Sequence, residues 1–172
     1  MEERLTVLAE ISVGLAGFSS VVVVFRRRSS GGAWRPEDAF RFKVMLEAGL
    51  VAGLFAILPG AVSGLGLGPS RMWPFLSALL LAYVTFDVLR RGRQMTRLPP
   101  DSLKRGLVGL VTVGNLAVIG VQALNLANWL VPRGPGPYLF GVTWLTAYSG
   151  LTFYRLVTAP IVTSDLDEPP AV

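Results

Sequence analysis

Residues 5–25 read LTVLAEISVGLAGFSSVVVVF, and residues 26–28, which follow directly, are RRR. A helix that crosses the hydrocarbon core of a bilayer needs about 20 predominantly apolar residues, and this run meets that length. The three arginines mark where the run must end, because charged side chains are costly inside the hydrocarbon. The start of the chain therefore predicts a membrane-spanning helix.

Four further apolar stretches follow the same rule. They are residues 44–67, 73–89, 107–131 and 138–157. Each is apolar on most of its faces, and a soluble chain of 172 residues could not bury all five. Charged residues make up 16% of the chain, against about 25% in soluble domains. We expect an all-α, polytopic integral membrane protein with five transmembrane helices. Residues 1–157 would form a single transmembrane domain and residues 158–172 a disordered acidic cytoplasmic tail.

The basic residues indicate how the chain is threaded through the membrane. Of the 16 Lys and Arg residues, six lie in residues 26–43 and six in residues 90–105. The positive-inside rule places both of these loops in the cytoplasm. With five spans, the N-terminus is then outside and the C-terminus cytoplasmic. The loops would contact anionic lipid headgroups. Their charge accounts for the pI of about 10.2 without any nucleic-acid partner.

Several kinds of chemistry are excluded by composition. The chain has no cysteine and no histidine, so it has no thiolate nucleophile, no His-based catalytic triad and no zinc site with Cys or His ligands. It also lacks a phosphate-binding P-loop, a nucleophile-elbow motif and a carboxylate cluster with metal-binding spacing. We therefore expect a protein that is not an enzyme and that has no cofactor and no metal.

Small residues recur every four positions in the second span. The members of this ridge are Ala48, Ala52, Ala56 and Gly60. Small side chains at this spacing let helix backbones approach closely in lipid. The ridge could pack within one subunit or between subunits, and five short-looped helices would make so thin a bundle that we expect a homo-oligomer in either case. Pro59 lies in the same span and leaves the carbonyl of Phe55 without its helical partner. It predicts either a simple kink or a broken helix that lines a cavity.

The acidic residues of the spans differ in their neighbours. Glu47 follows Lys43 by four residues, and Asp87 precedes two arginines, so both are expected to form local pairs. Glu10 has no basic residue within four positions. Amides in the fourth span are its possible hydrogen-bond partners, although they could instead link helices to one another. The amides concerned are Asn115, Gln122 and Asn125.

Glu10 also belongs to a stripe along the first span. At about 100° per residue, one side of the helix carries Glu10, Gly14, Gly17, Val21, Val24 and Arg28. Around a symmetry axis this stripe would stack a carboxylate ring, a glycine-lined neck, a valine constriction and an arginine ring. Acidic rings favour cations, and hydrophobic constrictions gate by dewetting. The stripe therefore predicts a pathway for a small cation. The rival interpretation is a protonated Glu10 that is hydrogen-bonded to Asn125 or Gln122.

Residues 9–22, AEISVGLAGFSSVV, resemble the first span of a group of small bacterial membrane proteins of unknown function. In that group a basic loop with a W-x-x-x-D-x-x-R-like segment follows, and it is similar to Trp34, Asp38 and Arg41 here. The resemblance covers mostly the first 60 residues. It implies a multi-pass protein of the bacterial inner membrane and brings no activity with it.

Two functions are compatible with these features. The first is a small oligomeric ion channel or permeation pathway that is lined by the first span. The second is a structural or regulatory membrane protein that recruits partners through its basic cytoplasmic loops. They differ in whether Glu10 faces a water-filled axis or a neighbouring helix.

Overall fold

The computed structural model describes residues 2–29, 36–95, 105–129 and 133–158, and these residues form five helices. The helices are α1 (Glu2–Ser29), α2 (Pro36–Gly64), α3 (Pro69–Met95), α4 (Arg105–Ala127) and α5 (Pro135–Thr158). The all-α prediction is confirmed. The acidic tail, apart from Thr158 at the end of α5, lies outside the described residues.

The helix ends follow from local sequence. Helices α2, α3 and α5 each begin at a proline, whose missing N–H costs nothing in the first turn. Beyond the end of α2, Gly66 has a φ of 79°, and its amide donates to the carbonyl of Ser63 at 3.0 Å. Asn128 follows α4, has a φ of 53° and ends that helix in the same way. Left-handed residues of this kind satisfy the last carbonyls of a helix and reverse the chain.

Helix α5 lies at the centre of the bundle. It packs against each of the other four helices, which follow one another around it as the neighbouring pairs α1–α2, α2–α3 and α3–α4. The core that these contacts bury includes Leu76 and Leu80 of α3, Val118 of α4 and Val142 of α5, all without exposed surface. The order of the helices around α5 is thus the order of the chain.

Four of the five helices are long and apolar enough to cross a membrane. Their spanning segments are Glu3–Val22, Phe42–Gly64, Pro69–Arg93 and Val108–Ala127. The remaining predicted span corresponds to α5, which is long enough but carries serine, threonine and tyrosine at many positions. Several of these polar residues, among them Thr146, Ser149 and Thr152, are buried against the surrounding helices. A helix enclosed by protein need not be apolar on every face, because its polar groups find partners in its neighbours.

Pro59 does not break α2. Helix α2 continues through it to Gly64. The carbonyl of Phe55, four residues before the proline, accepts a hydrogen bond from the hydroxyl of Tyr138 in α5 at 2.5 Å. This bond replaces the helical one that proline cannot make, so α2 remains helical and is fastened to the central helix at the same point.

Candidate functional site

One side of α1 attaches the helix to the rest of the bundle. Leu5, Ser12, Ala16 and Ser19 are buried. The hydroxyls of Ser12 and Thr146 lie 2.9 Å apart and share a hydrogen bond between α1 and α5. The backbones of α1 and α2 also lie close together. A side-chain carbon added at residue 49, which is glycine, would lie 3.3 Å from the carbonyl oxygen of Ser12. Small residues on both helices therefore permit this packing.

The predicted stripe lies on the other side of α1. Glu10, Gly14 and Gly17 are exposed, and Val21 and Val24 keep 49% and 54% of their surface. Nothing comes within 4 Å of where a side chain would begin at either glycine. At 100° per residue the stripe is centred roughly 150° around the helix from the buried side. The single chain thus leaves the stripe facing directly away from its own bundle. The side chain of Arg28 lies outside the described residues.

Glu10 is the chemically unusual member of this stripe. It follows Glu3, the start of the spanning segment, by seven residues, which places it about 10 Å into that segment. Within the part of the chain that the structure describes, its carboxylate has no hydrogen bond and no ion pair. An acid at this depth costs about 3 kcal/mol if it faces lipid, so such residues normally face protein or water.

The amides of the fourth span are used elsewhere. Asn125 donates to Ser77 of α3 at 2.8 Å and accepts from the amide of Gly134 at 3.2 Å. Gln122 donates to the carbonyl of Pro137 at 2.6 Å. These bonds fasten α4 to α3 and to the start of α5. The expected hydrogen bond between Glu10 and Asn125 or Gln122 is therefore not formed within this chain.

Asn115 serves the same purpose at another level of α4. Its side-chain oxygen accepts a hydrogen bond from the indole nitrogen of Trp144 at 2.9 Å. The Trp144 ring lies directly against Gly114, where no larger residue would fit. All three amides thus link α4 to neighbouring elements.

The small-residue ridge of α2 lies mostly inside the subunit. Ala48, Ala52 and Ala56 are buried, whereas Gly60 is exposed with nothing near it. Ala52 and Ala56 belong to the main core, and Ala48 packs with Val44 and residues of α4 and α5. Three of the four ridge residues therefore pack against other residues of the same chain.

A network of charged side chains lies near the other end of the bundle. Asp87 accepts a hydrogen bond from Arg90 at 3.1 Å, and its second oxygen lies 2.6 Å from the Nε of Arg91. Glu47 has Lys43 at 3.9 Å. These contacts confirm the local pairs expected from the sequence. Asp87 and Arg91 are almost completely buried, with 6% and 5% of their surface exposed.

The network also crosses between helices, which the sequence analysis missed. Arg90 of α3 donates to Glu47 of α2 at 2.5 Å, and Arg91 lies 3.7 Å from the same carboxylate. Arg91 further donates to the hydroxyl of Tyr148 in α5 at 3.3 Å, and its guanidinium lies 5.6 Å from the centre of that ring. The network therefore joins α2, α3 and α5. It brings three basic groups to two carboxylates and leaves neither carboxylate alone.

A signal for this network was present in the sequence. Glu47 lies five residues inside the start of its spanning segment, and Arg90 lies three residues inside the end of the next one. Because consecutive spans run in opposite directions, these residues occupy similar depths and can meet. Residues 30–35 and 96–104, which carry part of the basic loops, lie outside the described residues, so recruitment of partners by those loops stays a prediction.

The described acidic side chains are the remaining candidates for a metal site. Within the described ranges, no three His, Cys, Asp or Glu side chains come together to hold a metal ion. Glu10 is alone, and the carboxylates of the charged network already have basic partners. Among the exposed acidic and basic groups of the described spans that form no ion pair, Glu10 lies furthest from the end of its spanning segment. Searches of protein-family models, of curated proteins and of solved structures found no match to this chain.

Proposed function

We propose that this protein is a homo-oligomeric ion channel of the bacterial inner membrane, in which α1 of each subunit faces a central pathway for small cations. All five helices cross the bilayer in this proposal, with the N-terminus outside and the C-terminus in the cytoplasm. Helix α5 crosses as the central helix, and the basic loops keep to the cytoplasmic side and contact anionic headgroups.

A single observation carries the proposal: the side of α1 that bears Glu10 points away from the bundle. In a monomer this side would place a carboxylate against lipid about 10 Å into the span. Packing α1 around a shared axis removes that cost, since the carboxylates then face water. Nothing else in the described part of the chain covers or neutralises Glu10.

The rest of the stripe is suited to such an axis. Gly14 and Gly17 add no side chain below the carboxylate ring, which leaves room for a hydrated ion. Val21 and Val24 would then narrow the pathway with apolar surface, where water can be lost and regained as the pore closes and opens. The carboxylates concentrate cations at the outer entrance, and the valines provide the gate.

The test is cation flux into liposomes that contain the purified chain or its Glu10→Gln variant. The amide keeps the shape of the side chain but removes the charge, so flux should fall several-fold while the oligomer stays intact by light scattering in detergent. Glu168→Gln is the matched control, because it removes a carboxylate from the C-terminal tail and should conduct as the unmodified chain does. Equal flux through Glu10→Gln, or no flux through the unmodified chain, would rule out the channel.

A further inference from the structure

A groove lies between the beginnings of α1 and α5. It has a volume of about 360 Å³ and is open along one side. Its walls are formed by Glu3, Arg4, Val7, Leu8, Leu139 and Thr143. The volume falls at the lower end of the range for small-molecule sites, about 300–1,000 Å³. Helices α1 and α5 run in the same direction, and the groove begins at Glu3, where the spanning segment of α1 begins.

The walls combine an apolar interior with two opposite charges at one end. Val7, Leu8 and Leu139 line the part that extends into the span. Glu3 and Arg4 stand at its start, and neither forms an ion pair within the described residues. Neighbouring residues of a helix do not face one another, so the two charges do not neutralise each other. The groove thus presents a carboxylate and a guanidinium without ion-pair partners at the start of its apolar part.

Thr143 adds an unused hydroxyl within the groove. Three other threonines of α5, Thr146, Thr152 and Thr158, each donate to the carbonyl four residues earlier. Thr143 has no hydrogen bond among the residues that the structure describes, although it is followed and preceded by regular helix. A hydroxyl in this position is free to bond with a ligand.

We propose that this groove binds one phospholipid with an ethanolamine headgroup. The phosphate lies against Arg4, the primary ammonium donates to Glu3, and one acyl chain lies along Val7, Leu8 and Leu139. The hydroxyl of Thr143 donates to an ester oxygen of the lipid. The open side of the groove lets the chain enter laterally from the bilayer. The two charges at its start match the two charges of this headgroup. Glu3 and Val7 lie on the same side of α1 as Glu10, so the site borders the proposed pathway at its outer end.

The chemistry distinguishes this lipid from others with the same acyl chains. Phosphatidylcholine has a quaternary ammonium that cannot donate a hydrogen bond to Glu3, and phosphatidylglycerol has no ammonium at all. Each should bind about tenfold more weakly, which is the effect of losing one hydrogen bond to a charged group. Native mass spectrometry of the purified full chain with each of the three lipids measures this difference directly.

Three variants test the site itself. Glu3→Gln and Arg4→Gln should each weaken phosphatidylethanolamine binding about tenfold. Val7→Trp should abolish binding by filling the groove. Val113→Trp is the matched control, since it places the same side chain on α4 at a residue that is 66% exposed. This variant should bind phosphatidylethanolamine as the unmodified chain does.

Two results would overturn the proposal. One is equal binding of the three lipids by the unmodified chain. The other is unchanged phosphatidylethanolamine binding by Val7→Trp. If this variant changed the size of the oligomer and left lipid binding unchanged, the groove would be a contact with a second copy of the chain. Loss of channel activity in Glu10→Gln has no bearing on either result.

Discussion

Replacing Asp87 by Asn should destabilise the protein more than any other single loss of charge in the described helices. Asp87 retains only 6% of its surface and holds both Arg90, at 3.1 Å, and Arg91, at 2.6 Å. The amide keeps the size of the side chain but leaves Glu47 as the only carboxylate beside three basic groups. Arg91 is itself buried, so its charge cannot recover hydration by turning towards water.

The expected magnitude follows from this burial. Breaking a buried ion pair by removing one partner costs about 3–5 kcal/mol, because the other charge stays buried without compensation. The pair between Lys43 and Glu47 provides the comparison, since its nitrogen and oxygen are 3.9 Å apart and the lysine side chain is 61% exposed. An exposed pair of this kind contributes about 0–1 kcal/mol. Lys43→Gln is therefore the matched control.

Thermal unfolding in detergent is the assay. For a chain of this size, about 1 kcal/mol corresponds to about 2–4 °C in Tm, so Asp87→Asn should lower Tm by about 6 °C or more. Lys43→Gln should change it by about 4 °C at most. The double variant Asp87→Asn/Arg91→Gln should recover part of the loss, since it removes the buried charge that the single variant leaves unpaired. A Tm for Asp87→Asn equal to that of Lys43→Gln would refute the reasoning.

Two further substitutions test the packing of α2. Tyr138→Phe removes the hydroxyl that donates to the carbonyl of Phe55, and it should lower the free energy of unfolding by about 1–3 kcal/mol. In a Pro59→Ala background, where α2 can make its own helical bond, the loss should nearly vanish. An unchanged loss in that background would contradict the role assigned to Tyr138. Ala52→Leu adds a large side chain where no surface is exposed and should cost about 1–3 kcal/mol and lower the yield of folded protein; unchanged yield and Tm would mean that this part of α2 is not packed as described.

The helices themselves were predictable because each depends on a local property of the chain. Apolar length and proline positions identify α1 to α4 directly. Helix α5 is predicted on the same basis, but the sequence does not indicate which helices its serine and threonine residues contact. They turn out to reflect its place in the fold: Ser149, for example, donates to the carbonyl of Met45 in α2 at 3.0 Å.

The partners of polar side chains were harder to predict, because they depend on which helices become neighbours. The amide of Asn125 is a chemically suitable partner for the carboxyl group of Glu10, but suitability does not decide whether their helices meet. In the fold, α4 packs mainly with α3 and α5, so Asn125 reaches Ser77 instead. The freed carbonyl of Phe55 was identified correctly, but its partner Tyr138 lies 83 residues away, and nothing local points to it.

The central claim, that the Glu10 side of α1 faces a water-filled pathway, is most directly tested by cysteine accessibility at position 21. The chain has no native cysteine, so Val21→Cys introduces a single thiol. The thiolate, which forms in water and not in lipid, attacks a charged methanethiosulfonate reagent; a mixed disulfide forms and methanesulfinate leaves. The account predicts that the reagent blocks cation flux through Val21→Cys in liposomes and leaves flux through Val113→Cys, on the exposed side of α4, unchanged. Undiminished flux through Val21→Cys after treatment would contradict it.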